Sequence, residues 1–277
     1  MALATLRALV VACTAALVLA SCSSGDESTV AGKAESTERL TIAVAYDQPG
    51  LAVRRLDGTH KGFDVDVARY VAKELGVPET GVKFVEAVPA ERENLLTTGA
   101  VDLVVSSYSI TDKRKEVIDF VGPYFVAGQD LLVRLTDERI TGPESLNAGN
   151  LKLCSVTNTT SAQHVKDRFA QSVQLVEYPN FSDCVTALLA EQVDALTTDD
   201  VILAGYAAQN PELLRVVGQP FSKEEYGIGM RKGDSDSKAK ITAAVRKMID
   251  SGEWRKSLEA NVGESGYAIP DPPQLTS

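Results

Sequence analysis

The sequence predicts an α/β protein built of two similar lobes. Three observations carry that prediction. From Leu40 onward, apolar runs of strand length alternate with stretches of helical periodicity. The chain of 277 residues leaves room for two compact domains at most. A short pattern also recurs: Arg92 to Leu96 leads into Val101-Asp102-Leu103, and Thr186-Ala187-Leu188 leads into Val193-Asp194-Ala195. Open α/β sheets place ligands beyond their strand ends, so a site is expected at the seam between the lobes.

In chain order, Met1 to Ser21 hold one charge, Arg7, followed by the apolar run Ala8 to Ala20. Those residues at ~1.5 Å each reach about 20 Å, short of the ~30 Å hydrocarbon core, which fits a secretory leader (1–21) better than a membrane span. The run ends Leu19-Ala20-Ser21-Cys22. Small residues just before a cysteine resemble the lipobox of bacterial lipoproteins, which makes Cys22 the expected site of lipidation, with palmitate-type chains; ordinary secretion with a free Cys22 is the alternative. Residues 22–37 are small and polar, with little to bury, and read as a flexible tether.

Strands are expected at Leu40 to Ala45, Val82 to Glu86, Val101 to Ser106, Gln129 to Leu135, Leu151 to Val156, Gln174 to Tyr178 and Ala195 to Thr198. Helices are expected at Phe63 to Leu75, Arg92 to Thr97, Thr160 to Phe169, Phe181 to Glu191 and Asp200 to Ala208, then over Asp236 to Ser251 and Glu253 to Asn261. If Cys13 leaves with the leader and Cys22 carries lipid, Cys154 and Cys184 are what an oxidising compartment sees, and one disulfide pairing remains. Two small buried thiols are the alternative.

Composition narrows the function. With 44% hydrophobic and 24% charged residues the chain is of globular type. A net charge of −10 argues against a nucleic-acid partner, because counterion release needs clustered Lys and Arg. His60 and His164 are the two histidines, too few for a multi-His metal centre, and neither metal nor cofactor is expected.

The segment Gly62-Phe63-Asp64-Val65-Asp66-Val67 through Leu75 puts Phe63, Val67, Tyr70, Val71 and Leu75 on one helical stripe, with Asp64 and Asp66 in the first turn, where carboxylates favour the helix dipole. As a string it resembles the signature of the family 3 bacterial extracellular solute-binding proteins, the polar amino-acid receptors of ABC importers. Tyr108-Ser109-Ile110-Thr111-Asp112-Lys113-Arg114, Ile118-Asp119-Phe120, Pro123-Tyr124, Asp194 to Asp199 and Tyr226-Gly227-Ile228-Gly229 extend the resemblance over the mature chain. Tyr46 to Leu51, Leu153-Cys154-Ser155-Val156 and Val193 to Asp199 look most like the glutamate-binding lipoproteins of actinobacteria.

The resemblance implies a periplasmic-binding-protein-like (type II) fold: two α/β lobes joined by two crossover strands around a cleft. Lobe 1 is then 38–128 plus 227–277 and lobe 2 is 129–226, with the first crossover near Ala127 to Leu132 and the return near Glu224 to Ile228. It also implies the site. A buried amino acid needs a cation for its carboxylate and an anion for its ammonium, since unpaired buried charge is costly. Arg114 resembles the family's carboxylate-binding arginine, Asp199 its ammonium-binding carboxylate, and Ser107 and Ser109 its lobe 1 ligands of the α-groups. Thr159 and Thr160 occupy the lobe 2 loop that would meet the α-carboxylate at a helix N-terminus; relatives often carry Gly where Asn158-Thr159-Thr160 stand here. Arg92 looks like the arginine that meets a side-chain carboxylate, and Thr198 faces the cleft. Gly50 and Leu51 stand where relatives often carry a stacking aromatic, so Tyr46 is the candidate for that place. Read without the family, Arg114 is a solvated helix-face charge, Asp199 a helix cap and Arg92 a surface partner of Glu91 or Glu93.

The resemblance thus implies a lipid-anchored receptor, monomeric and without catalytic residues, on the extracytoplasmic face of the cell membrane. It would take a free, glutamate-like amino acid to an ABC permease and its ATPase. Glutamine, aspartate or asparagine binding, an amino-acid sensor module, or an enzyme on the same fold are the alternatives.

Overall fold

The computed structural model describes residues 26–169 and 172–276. The leader and Cys22 therefore lie outside the described residues. Helix α1 (Val30–Thr37) precedes strand β1 (Leu40–Val44), the small strands β2 (Asp47–Gln48), β3 (Ala52–Arg54) and β4 (His60–Lys61), and helix α2 (Phe63–Glu74). Then follow β5 (Val82–Glu86), α3 (Arg92–Thr97), β6 (Leu103–Val104), α4 (Asp112–Lys115) and the long β7 (Ile118–Ala127). The second half runs β8 (Gln129–Arg134), β9 (Leu151–Val156), α5 (Thr160–Arg168), β10 (Val173–Tyr178), α6 (Phe181–Leu189), β11 (Ala195–Asp199), α7 (Asp200–Gln209) and β12 (Leu214–Val216). It closes with β13 (Glu224–Arg231), α8 (Ser235–Asp250) and α9 (Glu253–Val262).

The strands form two sheets of the same design. The first has the order β5-β1-β6-β13-β7 and the second β10-β9-β11-β8-β12, with a small β2-β3-β4 sheet beside the first. In each large sheet four strands run in one direction and one runs against them, β13 in the first and β8 in the second. The recurring Val-Asp pattern marks equivalent places. Asp102 donates its amide to Thr41 O at 2.8 Å and accepts the Thr41 amide at 2.7 Å. Asp194 does the same for Lys152, at 2.7 and 2.9 Å. Each aspartate pins the start of the neighbouring parallel strand, so the echo in sequence is a repeated structural job.

The chain passes from the first sheet to the second at Gly128, between β7 and β8, and returns through residues 217–223. The return therefore lies upstream of the expected 224–228: Glu224, Glu225 and Tyr226 already pair with Ala127, Val126 and Phe125 in the first sheet. The two connections touch, since the Gln129 amide donates to Ser222 Oγ at 3.0 Å, and a Cβ on Gly128 would meet Pro220 Cβ at 2.8 Å.

The expected tether needs correcting. Residues 30–37 are helical: Thr29 caps α1 by accepting the Gly32 amide, and Val30, Ala31 and Ala34 are buried. An eight-residue helix is marginal alone, and partners remote in sequence hold this one. The Val30 and Ala31 amides donate to Asp234 Oδ2 and Ser237 Oγ at the start of α8, each at 2.8 Å, and Lys33 pairs with Asp102 at 2.8 Å. Small side chains let α1 dock closely, so a composition poor in large apolar residues did not prevent packing.

Cys154 on β9 and Cys184 on α6 form the disulfide, both fully buried, with Cα atoms 5.7 Å apart. No helix among the described residues is long and apolar enough to cross a membrane.

Candidate functional site

Where the lobes meet, twelve residues line a small, tightly closed cavity. From lobe 1 come Pro89, Arg92, Ser107, Ser109 and Arg114; from lobe 2 come Thr159, Thr160, Ser161, Phe181, Thr198, Asp199 and Ile202. The site residues expected from sequence converge here, with one exception. Tyr46 does not line the cavity. It packs beside His60, ring centroids 5.1 Å apart, with the Arg54 guanidinium 5.5 Å from its ring centre, all within the small β2-β3-β4 region. The aromatic side chain in the cavity wall is Phe181, the first residue of α6.

Arg114 sits on α4, whose start is fixed by Thr111 accepting the Arg114 amide. Its guanidinium is buried rather than solvated: Nη1 donates to Ser109 O at 2.7 Å, Nη2 to Asn158 O of lobe 2 at 3.2 Å, and Nε to Glu93 Oε1 at 3.2 Å. Arg92, at the start of α3, is also buried and does not pair with Glu91 or Glu93; it donates to Pro89 O at 3.3 Å and Ser106 O at 3.0 Å. Both guanidinium carbons lie against Tyr108, at 4.2 and 4.8 Å from its ring centre. Burial, then the neighbouring Arg114 charge, brings Arg92 down to about 10, which leaves it fully charged at neutral pH. Two buried guanidinium groups thus share one small space.

Asp199 ends β11 and stands at the N-cap position of α7, yet its side chain makes no capping bond. Oδ2 accepts the Tyr226 hydroxyl at 2.5 Å, while Oδ1 is buried and has no hydrogen-bond partner among the described residues. A buried carboxylate oxygen without a donor is costly unless a ligand supplies one. Burial, with the Glu224 carboxylate adding to it, pushes Asp199 up to about 8.

The lobe 2 loop ends in the N-terminus of α5. Thr159 caps it, accepting the Ala162 amide at 3.1 Å and donating to Val156 O at 2.7 Å, so its hydroxyl is committed to the helix and its expected role as a ligand donor is not free. The first-turn amides of Thr160 and Ser161 are left without helical partners, as at any helix start. Thr160 Oγ1 donates to Glu224 Oε2 at 2.9 Å and lies 3.4 Å from Ser109 Oγ across the lobes. Asn158 adopts φ +61°, a left-handed conformation that Gly and Asn tolerate best.

Ser107, in the cavity wall, also has positive φ, at +41°. Its amide donates to Asp64 Oδ2 at 2.8 Å and its hydroxyl to Gln48 Oε1 at 3.0 Å. Asp64 also accepts the Tyr124 hydroxyl at 2.9 Å, and burial raises it to about 7. Sequence reading took Asp64 for a helix-start carboxylate; nothing local signals that it reaches a turn far along the chain. Pro89, Ser161 and Ile202 were missed for the same reason.

The profile of the bacterial extracellular solute-binding proteins, family 3, matches residues 40–264. The chain belongs to this family. It is 44% identical over 239 residues to the glutamate-binding protein GluB of Corynebacterium efficiens, which covers 83% of this chain and 81% of that protein. It is 34% identical over 250 residues to the ABC transporter glutamine-binding protein GlnH of Bacillus subtilis, covering 87% and 90%. Among solved structures, an ancestral arginine-binding protein bound to glutamine aligns with a TM-score of 0.76 and 34% identity, over 82% of this chain and 98% of that one. The family's fold is the periplasmic-binding-protein-like, two-lobe α/β architecture described above.

Proposed function

We propose that this family member captures free L-glutamate between its lobes and delivers it to an ABC permease and its ATPase, held by lipid on Cys22 at the extracytoplasmic membrane face. The observation that carries the ligand class is the partnerless Asp199 Oδ1 opposite two buried arginines. A free amino acid offers the ammonium that Asp199 lacks and a carboxylate for Arg114, whose planar fork favours that group.

Arg92 favours an acidic side chain. The ionisable cavity-lining groups are Arg92, Arg114 and Asp199. Arg114 is already paired with Glu93 at 3.2 Å, whereas Arg92 donates to two carbonyls alone and is the cation that a ligand's side-chain carboxylate neutralises and a glutamine amide does not. Glutamine binding is the second reading, supported by the similarity to GlnH. Thermal-shift screening of the secreted chain against the free amino acids tests the proposal: L-glutamate should raise the midpoint most, and no response to any amino acid would refute it. Loss of glutamate uptake on deleting the gene tests delivery to an importer.

A further inference from the structure

Some contacts between the lobes lie outside the cavity. The segment Asp47-Gln48-Pro49-Gly50 of lobe 1, at the turn from β2 towards β3, reaches α6 and α7 of lobe 2. Helix α6 begins after Asn180, which places no capping bond of its own on the first turn. The Ser182 amide instead donates to Asp47 Oδ2 at 3.0 Å, so the carboxylate that satisfies this helix start comes from the other lobe. On α7, the Tyr206 hydroxyl donates to Asp47 O. Beside it stands Gly205, inside the helix, where only proline is a poorer helix former. A Cβ there would come within 2.3 Å of Pro49 O, a backbone atom that cannot swing aside. Glycine is therefore what lets the turn seat against α7.

Both helices also wall the cavity, α6 through Phe181 and α7 through Ile202. We propose that the Asp47–Pro49 turn is a latch that locks the lobes together over bound ligand, with Asp47 and Gly205 as positioning residues for the Phe181 and Ile202 walls. This rests on the reading of the cavity as an amino-acid site. Contacts made only when the lobes meet favour that arrangement without touching ligand, and so raise apparent affinity.

The test compares Gly205→Ala, Asp47→Ala and Asp47→Asn in the otherwise intact chain. Alanine is the better helix former, so Gly205→Ala should leave the ligand-free melting midpoint unchanged or higher while L-glutamate affinity falls at least tenfold and dissociation quickens. Asp47→Ala should weaken affinity comparably, and Asp47→Asn, which keeps an acceptor for the Ser182 amide, should recover most of it. Unchanged affinity in both Gly205→Ala and Asp47→Ala overturns the latch, as does a Gly205→Ala chain whose ligand-free stability falls along with affinity. Energy transfer between dyes on the two lobes reads the closed population directly; equal populations in the unmodified and Gly205→Ala chains also overturn it. Failure of the unmodified chain to bind L-glutamate would count against the cavity reading instead, while the dye measurement still judges the latch.

Discussion

Replacing Arg92 by Met tests how the site tells acidic from neutral ligands. The change keeps an unbranched stem beside Tyr108 and Pro89 but removes the guanidinium that donates to Pro89 O and Ser106 O. Two of its five N–H groups serve those carbonyls, and the rest of the fork is available to a ligand carboxylate. With its pKa at about 10, Arg92 is charged throughout the neutral range, so the effect reads the presence of charge and not its titration. In the unmodified protein a neutral glutamine side chain leaves this desolvated cation poorly paired, at about 1 to 3 kcal/mol, or roughly 5- to 150-fold in affinity. Arg92→Met should therefore lower glutamate affinity and bring the glutamate-to-glutamine ratio to within about threefold. Paired calorimetric titrations with the two ligands, after checking the melting midpoint, measure it. A variant that folds and keeps the full preference would refute the assignment of Arg92 to the side-chain carboxylate.

Arg114→Ala should weaken every amino-acid ligand by about 3 kcal/mol or more, because the α-carboxylate is left buried without its cation; titration with glutamate and glutamine checks this, and loss for only one ligand contradicts it. Binding should depend on pH through Asp199. Its carboxyl ionises at about 8 without ligand, and a bound ammonium favours the ionised form, so binding at neutral pH releases a proton and glutamate affinity should rise from pH 6 towards 8. Calorimetry in buffers of different ionisation enthalpy detects that proton, and Asp199→Asn should abolish it together with most affinity. The Cys154→Ser, Cys184→Ser double variant should lose about 3.6 kcal/mol of stability on the chain-entropy estimate for its 30-residue separation, read by urea unfolding. Removing residues up to Thr37 should destabilise the body by about 2 kcal/mol, from exposing the side of α8 that buries Val30 and from losing the Lys33–Asp102 pair; an unchanged midpoint would return the segment to a tether.

The parts of the fold that sequence made legible are those whose physics is local. The stripe of α2, the apolar runs of β1, β5 and β9, and the long α8 follow from periodicity within each segment. The duplicated lobes were visible because Asp102 and Asp194 perform the same strand-pinning job, and a repeated job leaves a repeated string. Helix α1 was hidden because its stability lies in Asp234 and Ser237, some two hundred residues away. The site divides in the same way. Arg114 and Asp199 could be named because amino-acid chemistry demands a cation and an anion and a family resemblance supplied the positions. Phe181 was invisible because a phenylalanine opening a helix looks like core, and Tyr46 misled because position along the chain does not fix where an aromatic ring turns. Asp64 and Gln48, which hold the strained Ser107, act across lobe 1 and leave no local trace.

The most direct test of the two-arginine cavity is calorimetric titration of the unmodified chain with L-glutamate and L-glutamine under one set of neutral conditions. Glutamate should bind the tighter by roughly 5- to 150-fold, with one ligand per chain. Equal affinity, or tighter binding of glutamine, would contradict the assignment of Arg92 and Arg114 to the two carboxylates of an acidic amino acid.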